Sequence, residues 1–352
     1  MKRFKIGVIP GDGIGTEVVA EGVRVLREVV RRLQDIEIEL REFDVGAGCY
    51  LRTGDALSAD TIQELRSCSA ILLGAIGLPD VRLPDGTEIT PQLDLREQLN
   101  LYCGVRPVYL YHEQQTPLKG YRKGEIDFVI FRENTEGLFS SRLKPYASNA
   151  PVITDSLKVS REASERIFRA AFREANRRRG LVTLVDKANV LPSMAFFRRI
   201  FDEIAREFPA IRTEKLYADA AALHLIKRPN TFDVMVTENF LGDILSDLAA
   251  ALVGGMGMAP SGDIGEELAV FQPSHGSAPD ISGQRIANPT ATILSVAMML
   301  DWLGHPETVR GAGMIRRAVE GVFDELPNAT PDLGGSLRTS EMGDRIIRGL
   351  AS

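Results

Sequence analysis

Apolar and polar residues follow two recurring patterns along this chain. Short apolar runs and one stretch of alternation predict strands, at residues 4–9, 36–43, 70–74, 126–131, 181–186 and 232–237. Stretches with helical spacing of apolar residues separate these strands, at residues 16–33, 58–67, 160–179 and 194–207. Because strands alternate with helices, we predict an α/β protein with a largely parallel sheet.

The composition is that of an ordinary globular protein, with 44% hydrophobic and 26% charged residues, and the length of 352 residues favours two domains. The net charge of −6 argues against general binding of nucleic acid. Three isolated cysteines, Cys49, Cys68 and Cys103, indicate a reducing compartment rather than a zinc site or a disulfide framework. No apolar run approaches the roughly 20 residues that span a membrane, and the N-terminal apolar stretch is too short for a signal peptide. We therefore expect a cytoplasmic protein without a membrane partner.

Two aspartates, Asp243 and Asp247, lie four residues apart in an otherwise apolar segment, residues 239–248, that is predicted to be a partly buried helix. At this spacing both carboxylates share one helical face, which is costly near a core unless a cation or several donors neutralise them. One interpretation is a pair of solvated or capping aspartates. The other is a cation site that also includes Asp219, and three carboxylates suit Mg²⁺ or Mn²⁺ better than zinc.

Three arginines, Arg96, Arg106 and Arg132, are candidates for binding an anionic substrate. Arg132 directly follows a predicted buried strand, and the carboxyl ends of parallel strands border the crevice where α/β proteins bind ligands. If the three converge there, they suit a dicarboxylate or tricarboxylate. Taken singly, each arginine is better explained as a partner in a surface ion pair. Lys187 also ends a predicted strand and is a candidate proton-transfer group.

Two glycine-containing loops are candidates for approaching a ligand. Residues 11–15, Gly-Asp-Gly-Ile-Gly, connect a strand to a helix and are either a ligand-binding turn or simply a tight turn. A second loop precedes a predicted helix, and its backbone groups and acidic side chain suit a nucleotide ribose. Its candidate residues are His275, Gly276, Ser277, Ala278, Pro279, Asp280 and Asn288.

Together these stretches resemble the isocitrate and 3-isopropylmalate dehydrogenase family, the NAD-dependent β-decarboxylating dehydrogenases that include tartrate and D-malate dehydrogenases. The resemblance runs from residues 9–15 to residues 330–335, and its most specific motifs are residues 236–247 and 275–280. It implies two open α/β domains that share a long mixed, largely parallel sheet. Residues 1–101 plus 254–352 would form the cofactor-binding domain, and residues 102–253 the substrate, metal and dimerisation domain.

The resemblance also implies a role for each candidate residue. Arg96, Arg106 and Arg132 match the substrate-carboxylate clamps, and Asp219, Asp243 and Asp247 match the ligands of Mg²⁺ or Mn²⁺. Lys187 matches the lysine that assists removal of the substrate's hydroxyl proton. Family members are homodimers in which Lys187 and Asp219 would serve the partner's site.

The cofactor implied by the resemblance is NAD. Asn189 matches a residue near the nicotinamide, and Asp280 matches an acidic residue at the adenine ribose. A carboxylate at that place favours two free ribose hydroxyls and repels the 2′-phosphate of NADP.

Phe139 departs from the family pattern, because family members ordinarily carry a tyrosine there that protonates the enol carbon. Phenylalanine lacks the proton-carrying oxygen. Three hypotheses follow. In the first, the enzyme protonates through water or Lys187 and still decarboxylates. In the second, it oxidises a 2-hydroxy acid without completing decarboxylation, or uses a substrate that has no β-carboxylate to lose. In the third, it is a catalytically impaired, nucleotide-binding regulatory subunit. The intact set of metal ligands argues against the last hypothesis.

The variable group of the substrate is read, by family resemblance, by Ile89, Gln92 and Leu93. Ile89 and Leu93 suit an alkyl substituent, whereas Gln92 suits a hydroxyl group as in tartrate. Asp94 would repel the third carboxylate of isocitrate if its side chain faced the cavity. A hydrophobic site discriminates weakly among small apolar groups. We predict 3-isopropylmalate as the substrate, with tartrate or D-malate as alternatives.

Overall fold

A computed structural model describes residues 1–142, 150–324 and 329–351. Within these ranges the strands are β1 (Lys2–Gly11), β2 (Ile36–Glu42), β3 (Ala70–Ala75), β4 (Cys103–Tyr109), β5 (Asp127–Glu133), β6 (Leu181–Asp186), β7 (Arg212–Tyr217), β8 (Val234–Thr237), β9 (Pro260–Ile264) and β10 (Ala269–Pro273). The α-helices are α1 (Gly15–Val30), α2 (Ala47–Thr53), α3 (Ala59–Leu65), α4 (Pro91–Gln98), α5 (Arg161–Ala175), α6 (Pro192–Ala205), α7 (Ala218–Lys227), α8 (Asn239–Ala251), α9 (Thr290–Trp302), α10 (Pro306–Phe323) and α11 (Thr339–Gly349).

All these strands form one 10-stranded sheet in the order β2-β1-β3-β10-β9-β4-β5-β8-β6-β7. Strand β9 pairs in antiparallel fashion with β10 and β4, and β4 does so with β5, while the other neighbours are parallel. The predicted α/β fold with a long mixed, largely parallel sheet is therefore confirmed.

The sheet has two halves that meet where β9 pairs with β4. Strands from residues 2–75 and 260–273 build the first half, and strands from residues 103–237 build the second. The chain returns from the second half to the first at Gly254 and Gly255, which both have a positive φ that glycine adopts readily. The predicted discontinuous domain organisation and its boundaries stay a prediction.

Helices cover both faces of the sheet, as expected for strands that are buried on each side. In the first half, α1, α9 and α10 pack on one face, and α3 and α4 pack on the other. In the second half, α5 and α6 share a core with β5, β6 and β8, while α7 and α8 cover the opposite face. Within the described ranges, no helix has the length and apolar character needed to cross a membrane.

The apolar pattern located six of the ten strands in the described ranges. Each predicted strand and helix overlaps an observed one, and the helix predicted from residue 194 begins slightly earlier because Pro192 occupies its first turn. The pattern missed four strands, β4, β7, β9 and β10. Strand β7 is an edge strand whose side chains are exposed or only half-buried and therefore carry little apolar signal. Strands β4, β9 and β10 are largely buried, but glycine, proline or polar residues interrupt their apolar runs.

Candidate active site

A cavity of about 320 Å³ lies between the two halves of the sheet. The first half contributes wall residues from α4, β10 and the loop after β10, among them Gln92, Leu93, Arg96, Gln272, Ser274, His275 and Gly276. The second half contributes residues from β4, β5, α8 and a short 3-10 helix, among them Arg106, Arg132, Phe139, Asp243, Ser246 and Asp247. The three candidate arginines and both aspartates of α8 therefore face one cavity.

Arg96 and Arg106 are held from behind by one buried carboxylate. Helix α4 packs on the sheet through Leu95, and the neighbouring Arg96 donates from Nε to Asp263 Oδ2 at 2.8 Å. Arg106 donates from Nη2 to Asp263 Oδ1 at 3.4 Å and from Nη1 to Ser274 Oγ at 3.2 Å. Burial lowers the pKa of Arg106, and the charge of Asp263 opposes this shift. Both arginines are thus fixed by the protein before any anion binds.

Arg132 lies at the end of β5 and is only 2% exposed. Its Nε donates to Asn239 Oδ1 at 2.9 Å, and its Nη1 pairs with the carboxylate of Asp243. Its guanidinium also lies 5.5 Å from the ring centroid of Phe139, within the range of a cation–π contact. Burial lowers the pKa of Arg132 to about 10, so the side chain still carries its charge at neutral pH.

Helix α8 presents both aspartates to the cavity. Its first turn is capped by the buried Glu238, which accepts from the backbone N–H groups of Phe240 at 3.0 Å and Leu241 at 2.7 Å. Burial raises the pKa of Asp247, and the adjacent charge of Asp243 raises it further. The charge of Asp243 therefore lies close enough to disfavour ionisation of Asp247.

The prediction that α8 is a partly buried helix is confirmed, since one face packs on the core and another does not. Phe240 is 38% exposed and Ile244 is 52% exposed, so an apolar strip of the helix faces solvent. Helix α7, which packs beside α8, adds exposed Leu223 and Ile226. Apolar residues at helical spacing predicted the helix correctly, but the same spacing does not say which surface covers them.

Lys187 and Asp219 lie together but outside the cavity. Lys187 Nζ donates to Asp219 Oδ1 at 2.5 Å, and this hydrogen bond lowers the pKa of Asp219. Asn189 is exposed on the turn that follows Lys187. Across the described residues, no three His, Cys, Asp or Glu side chains are grouped closely enough to hold a metal ion. One chain thus brings Asp243 and Asp247 together and leaves Asp219 apart.

The loop after β10 contributes two of its predicted residues to the cavity wall, His275 and Gly276. His275 Nδ1 lies 2.9 Å from the carbonyl oxygen of Gly276, and Nε2 is buried without a partner among the described residues. Burial lowers the pKa of His275, so its ring is neutral at neutral pH. A neutral ring with Nδ1 donating leaves Nε2 as an acceptor for a ligand.

The other predicted cofactor residues lie outside the cavity. Pro279 and Asp280 are exposed, and Ala278 has a positive φ. Asn288 is buried; its Oδ1 accepts from the backbone N–H of Thr290 at 3.0 Å. Ser277 donates from Oγ to the carbonyl of Gly77.

The glycine loop at residues 11–15 is a tight turn that binds its own chain. The backbone N–H of Ile14 donates to the carbonyl of Ser277 at 2.8 Å. A Cβ added at Gly13 would lie 2.0 Å from that carbonyl oxygen, at a φ of +55°. Asp12 accepts from the N–H groups of Ala47 and Gly48, both at 2.8 Å. The turn therefore anchors the loop that carries His275.

Of the residues predicted to read the variable substrate group, Gln92 and Leu93 line the cavity but Ile89 does not. Ile89 is buried against a second cavity of about 430 Å³, which Leu93 also borders. Asp94 borders that second cavity and accepts from Arg142 at 2.6 Å. The argument that Asp94 repels a third carboxylate therefore fails, since Asp94 does not line the cavity that contains Arg96, Arg106 and Arg132.

Comparison with known proteins places this arrangement in a family. A family model described as isocitrate/isopropylmalate dehydrogenase matches residues 5–346. The chain belongs to this family.

The chain is 43% identical over 351 residues to the isocitrate/homoisocitrate dehydrogenase of Thermus thermophilus, and the match covers 99% of each chain. It is 42% identical over 360 residues to the 3-isopropylmalate dehydrogenase of Moorella thermoacetica, again covering 99% of each. A crystal structure of isocitrate dehydrogenase from Methylococcus capsulatus matches with a TM-score of 0.88 and 35% identity over 99% of this chain and 100% of that one.

As a member of this family, the chain is a dehydrogenase that acts on the CH–OH group of hydroxy acids. The family uses NAD(P) and a divalent metal ion. The predicted family is thus confirmed. Sequence reasoning missed Asp263, Gln272 and Ser274, which touch the arginines or line the cavity. The sequence feature that could have indicated these residues is a polar side chain within a buried strand, an aspartate in β9 and a glutamine in β10.

Proposed function

We propose that this dehydrogenase oxidises a 3-substituted malate with NAD in the presence of Mg²⁺ or Mn²⁺, and that the product loses its β-carboxylate. The preferred substrate in this proposal is 3-isopropylmalate. The observation that carries the proposal is the convergence of three buried arginines and two aspartates on one cavity.

The arginine side of the cavity has unused hydrogen-bonding capacity. The buried Nε of Arg106 has no partner among the described residues. A substrate carboxylate would accept from such groups through charge-assisted hydrogen bonds, which are stronger than neutral ones. Asp263 and Asp243 offset part of the charge of the three arginines, and a dicarboxylate supplies two further negative charges. The malate skeleton, with carboxylates on adjacent carbons, suits this arrangement.

The aspartate side of the cavity fits a hard divalent cation. Asp243 and Asp247 are oxygen donors, and the raised pKa of Asp247 reflects burial and the nearby charge of Asp243. Both effects are offset when a cation shares the two carboxylates. When bound, the cation would withdraw charge from the substrate hydroxyl and NAD would accept the hydride. Asp280, an exposed acidic residue beside the cofactor loop, supports NAD over NADP.

The proposal includes a homodimer with shared sites. Lys187 and Asp219 carry suitable chemistry, yet lie outside the cavity of their own chain. The exposed apolar side chains of α7 and α8, with Phe240 and Ile244 next to the aspartates, support a second copy covering this surface. In such a dimer Asp219 of one chain completes the cation ligands of the other. Lys187 takes the proton of the substrate hydroxyl.

Phe139 bears on the fate of the β-carboxylate. Its ring contacts Arg132 and lies edge-on to Phe240, with centroids 6.2 Å apart, and it cannot donate a proton. We propose that the enol carbon is protonated by water or by Lys187 of the partner chain. Oxidation that stops before decarboxylation is the alternative for this step.

Tartrate is the second candidate substrate, and one observation favours it. The side-chain oxygen Oε1 of Gln92 is buried and lacks a partner among the described residues. A hydroxyl group on the substrate would donate to this oxygen, whereas an alkyl group would pack on Leu93 and Ile76. Leaving a buried acceptor unpaired costs about 1–3 kcal/mol, so the two substrates differ by a measurable amount.

A substrate panel tests the proposal. We expect NADH formation with Mn²⁺ and NAD on at least one of 3-isopropylmalate, D-malate, tartrate and isocitrate. Isocitrate is included because Asp94 does not face the cavity. Released CO₂ is measured alongside NADH, and a ratio near one supports complete decarboxylation. The absence of turnover on every acid, with either nucleotide, would contradict the proposed function.

A further inference from the structure

A buried carboxylate, Asp263, lies behind the wall of the cavity at the junction of the two halves of the sheet. It is 1% exposed and belongs to β9, where it is paired in register with Gly104 of β4. Gly104 is in turn paired with Arg132 of β5. A Cβ at Gly104 would lie 2.7 Å from Asn134 Oδ1, so the missing side chain leaves space for Asn134 to reach Asp263.

Four donors converge on the two oxygens of Asp263. Oδ1 accepts from Asn134 Nδ2 at 2.9 Å and from Arg106 Nη2 at 3.4 Å. Oδ2 accepts from Arg96 Nε at 2.8 Å and from Gln272 Nε2 at 2.8 Å. The donors come from both halves of the sheet. The carboxylate therefore ties the two halves together through the side chains that line the cavity.

Asp263 is ionised at neutral pH. Burial alone favours the neutral acid, but the charges of Arg96 and Arg106 and the hydrogen bonds from Arg96 and Asn134 hold the pKa below its ordinary value. One negative charge thus lies against two positive ones. Since a dicarboxylate arriving in the cavity competes for the same guanidinium groups, the protein must hold the arginines while leaving part of each guanidinium available.

We propose that Asp263 is a positioning residue, which fixes Arg96 and Arg106 with one nitrogen each and directs their remaining N–H groups to the substrate carboxylates. This inference rests on the proposed function of the cavity. Arg96 uses Nε for Asp263, and its two terminal nitrogens make no hydrogen bond with any described residue. Arg106 uses Nη2 for Asp263, and its Nε has no hydrogen-bond partner among the described residues. Asp263 itself does not line the cavity, so it acts only through the arginines.

The test compares Asp263→Asn with a double variant, Asp263→Asn/Gln272→Glu, in the full-length enzyme. The amide has one acceptor oxygen for four donors and carries no charge, so at least one arginine loses its anchor. In the double variant the carboxylate is carried by residue 272 instead of residue 263. Because these two side chains are hydrogen-bonded to each other, one negative charge stays at the same place. kcat and KM are measured on the best acid of the panel, and D-malate binding is measured by calorimetry.

We expect Asp263→Asn to raise KM and the D-malate Kd by about tenfold or more while kcat changes by less than about threefold, because the change acts on carboxylate binding. The double variant should return both constants to within about threefold of the unaltered enzyme.

Asp233→Asn is the matched control. Asp233 is also 1% exposed and pairs with an arginine, Arg178, but it lies at the opposite end of the strands. The KM of the Asp233→Asn enzyme should equal that of the unaltered enzyme.

Unchanged substrate binding in Asp263→Asn, with a loss of thermal stability like that of Asp233→Asn, would show a merely structural role and overturn the inference. If Asp263→Asn does not fold, the double variant decides: recovery of KM supports positioning, and a tenfold rise contradicts it. If the unaltered enzyme neither turns over any acid nor binds D-malate, the proposed function fails and this inference falls with it. Substrate binding that is normal in every variant refutes the inference alone.

Discussion

The proposed sharing of the active site between two chains has a quantitative consequence in mixtures of inactive variants. The cavity of one chain contains Asp243 and Asp247, whereas Lys187 and Asp219 lie outside it. We therefore combine Lys187→Met, which keeps the aliphatic stem, with Asp243→Asn, which keeps the shape. Lys187→Met alone should lose at least about 99% of activity, because a positioned proton-transfer group contributes about 10²–10⁴-fold. Asp243→Asn alone should lose about 90–99%, because changes around a metal site cost about 10–100-fold.

The expected recovery follows from counting sites. When equal amounts of the two variants exchange subunits at random, about half of the dimers contain one copy of each. In such a dimer, the Lys187→Met chain supplies intact aspartates and the Asp243→Asn chain supplies an intact lysine, so one of its two sites is complete. Activity should therefore recover to about one quarter of that of the unaltered enzyme. NADH formation is followed after joint refolding of the mixed subunits.

The control mixture combines Lys187→Met with Asp219→Asn. Lys187 and Asp219 are hydrogen-bonded to each other on the same chain and would serve the same partner site. Neither site of a mixed dimer is then complete, so activity should stay at the level of the separate variants. No recovery in the first mixture, although mass measurement shows mixed dimers, would refute the shared site. Equal recovery of activity in both mixtures would show that Lys187 and Asp219 of one chain serve different sites of the dimer.

Three further predictions concern single positions. Phe139→Tyr should change the ratio of CO₂ to NADH if the hydroxyl governs protonation, and an unchanged ratio would remove this position from the decarboxylation step. Gly13→Ala should lower the Tm by several degrees because its Cβ would meet the carbonyl oxygen of Ser277 at a positive φ, whereas Gly321→Ala, in open helix surface, should leave it equal or higher. Asp280→Ala should raise the NADP activity relative to NAD, and equal rates with both nucleotides in the unaltered enzyme would contradict the repulsion argument.

The parts of this protein that the sequence determined are local. Buried strands could be located because burial on both faces gives a short continuous apolar run, as in β3 and β6, whose side chains are almost all buried. Amphipathic helices could be located because burial of one face gives apolar residues at helical spacing. The four-residue spacing of Asp243 and Asp247 likewise fixed a shared helical face. The sequence motifs also identified the family, because several long segments occur in the same order.

The tertiary structure alone decided which distant groups meet. The contact between Arg96 and Asp263 joins residues 167 positions apart, and no local pattern predicts it. The same holds for Asp94, which turned away from the cavity toward Arg142, and for Ile89, which entered a different one. Side-chain direction depends on how α4 is seated on the sheet, and that seating is set by packing against β3 and β10. Periodicity determines which face of an element is buried, but only the packed chain determines what that face meets.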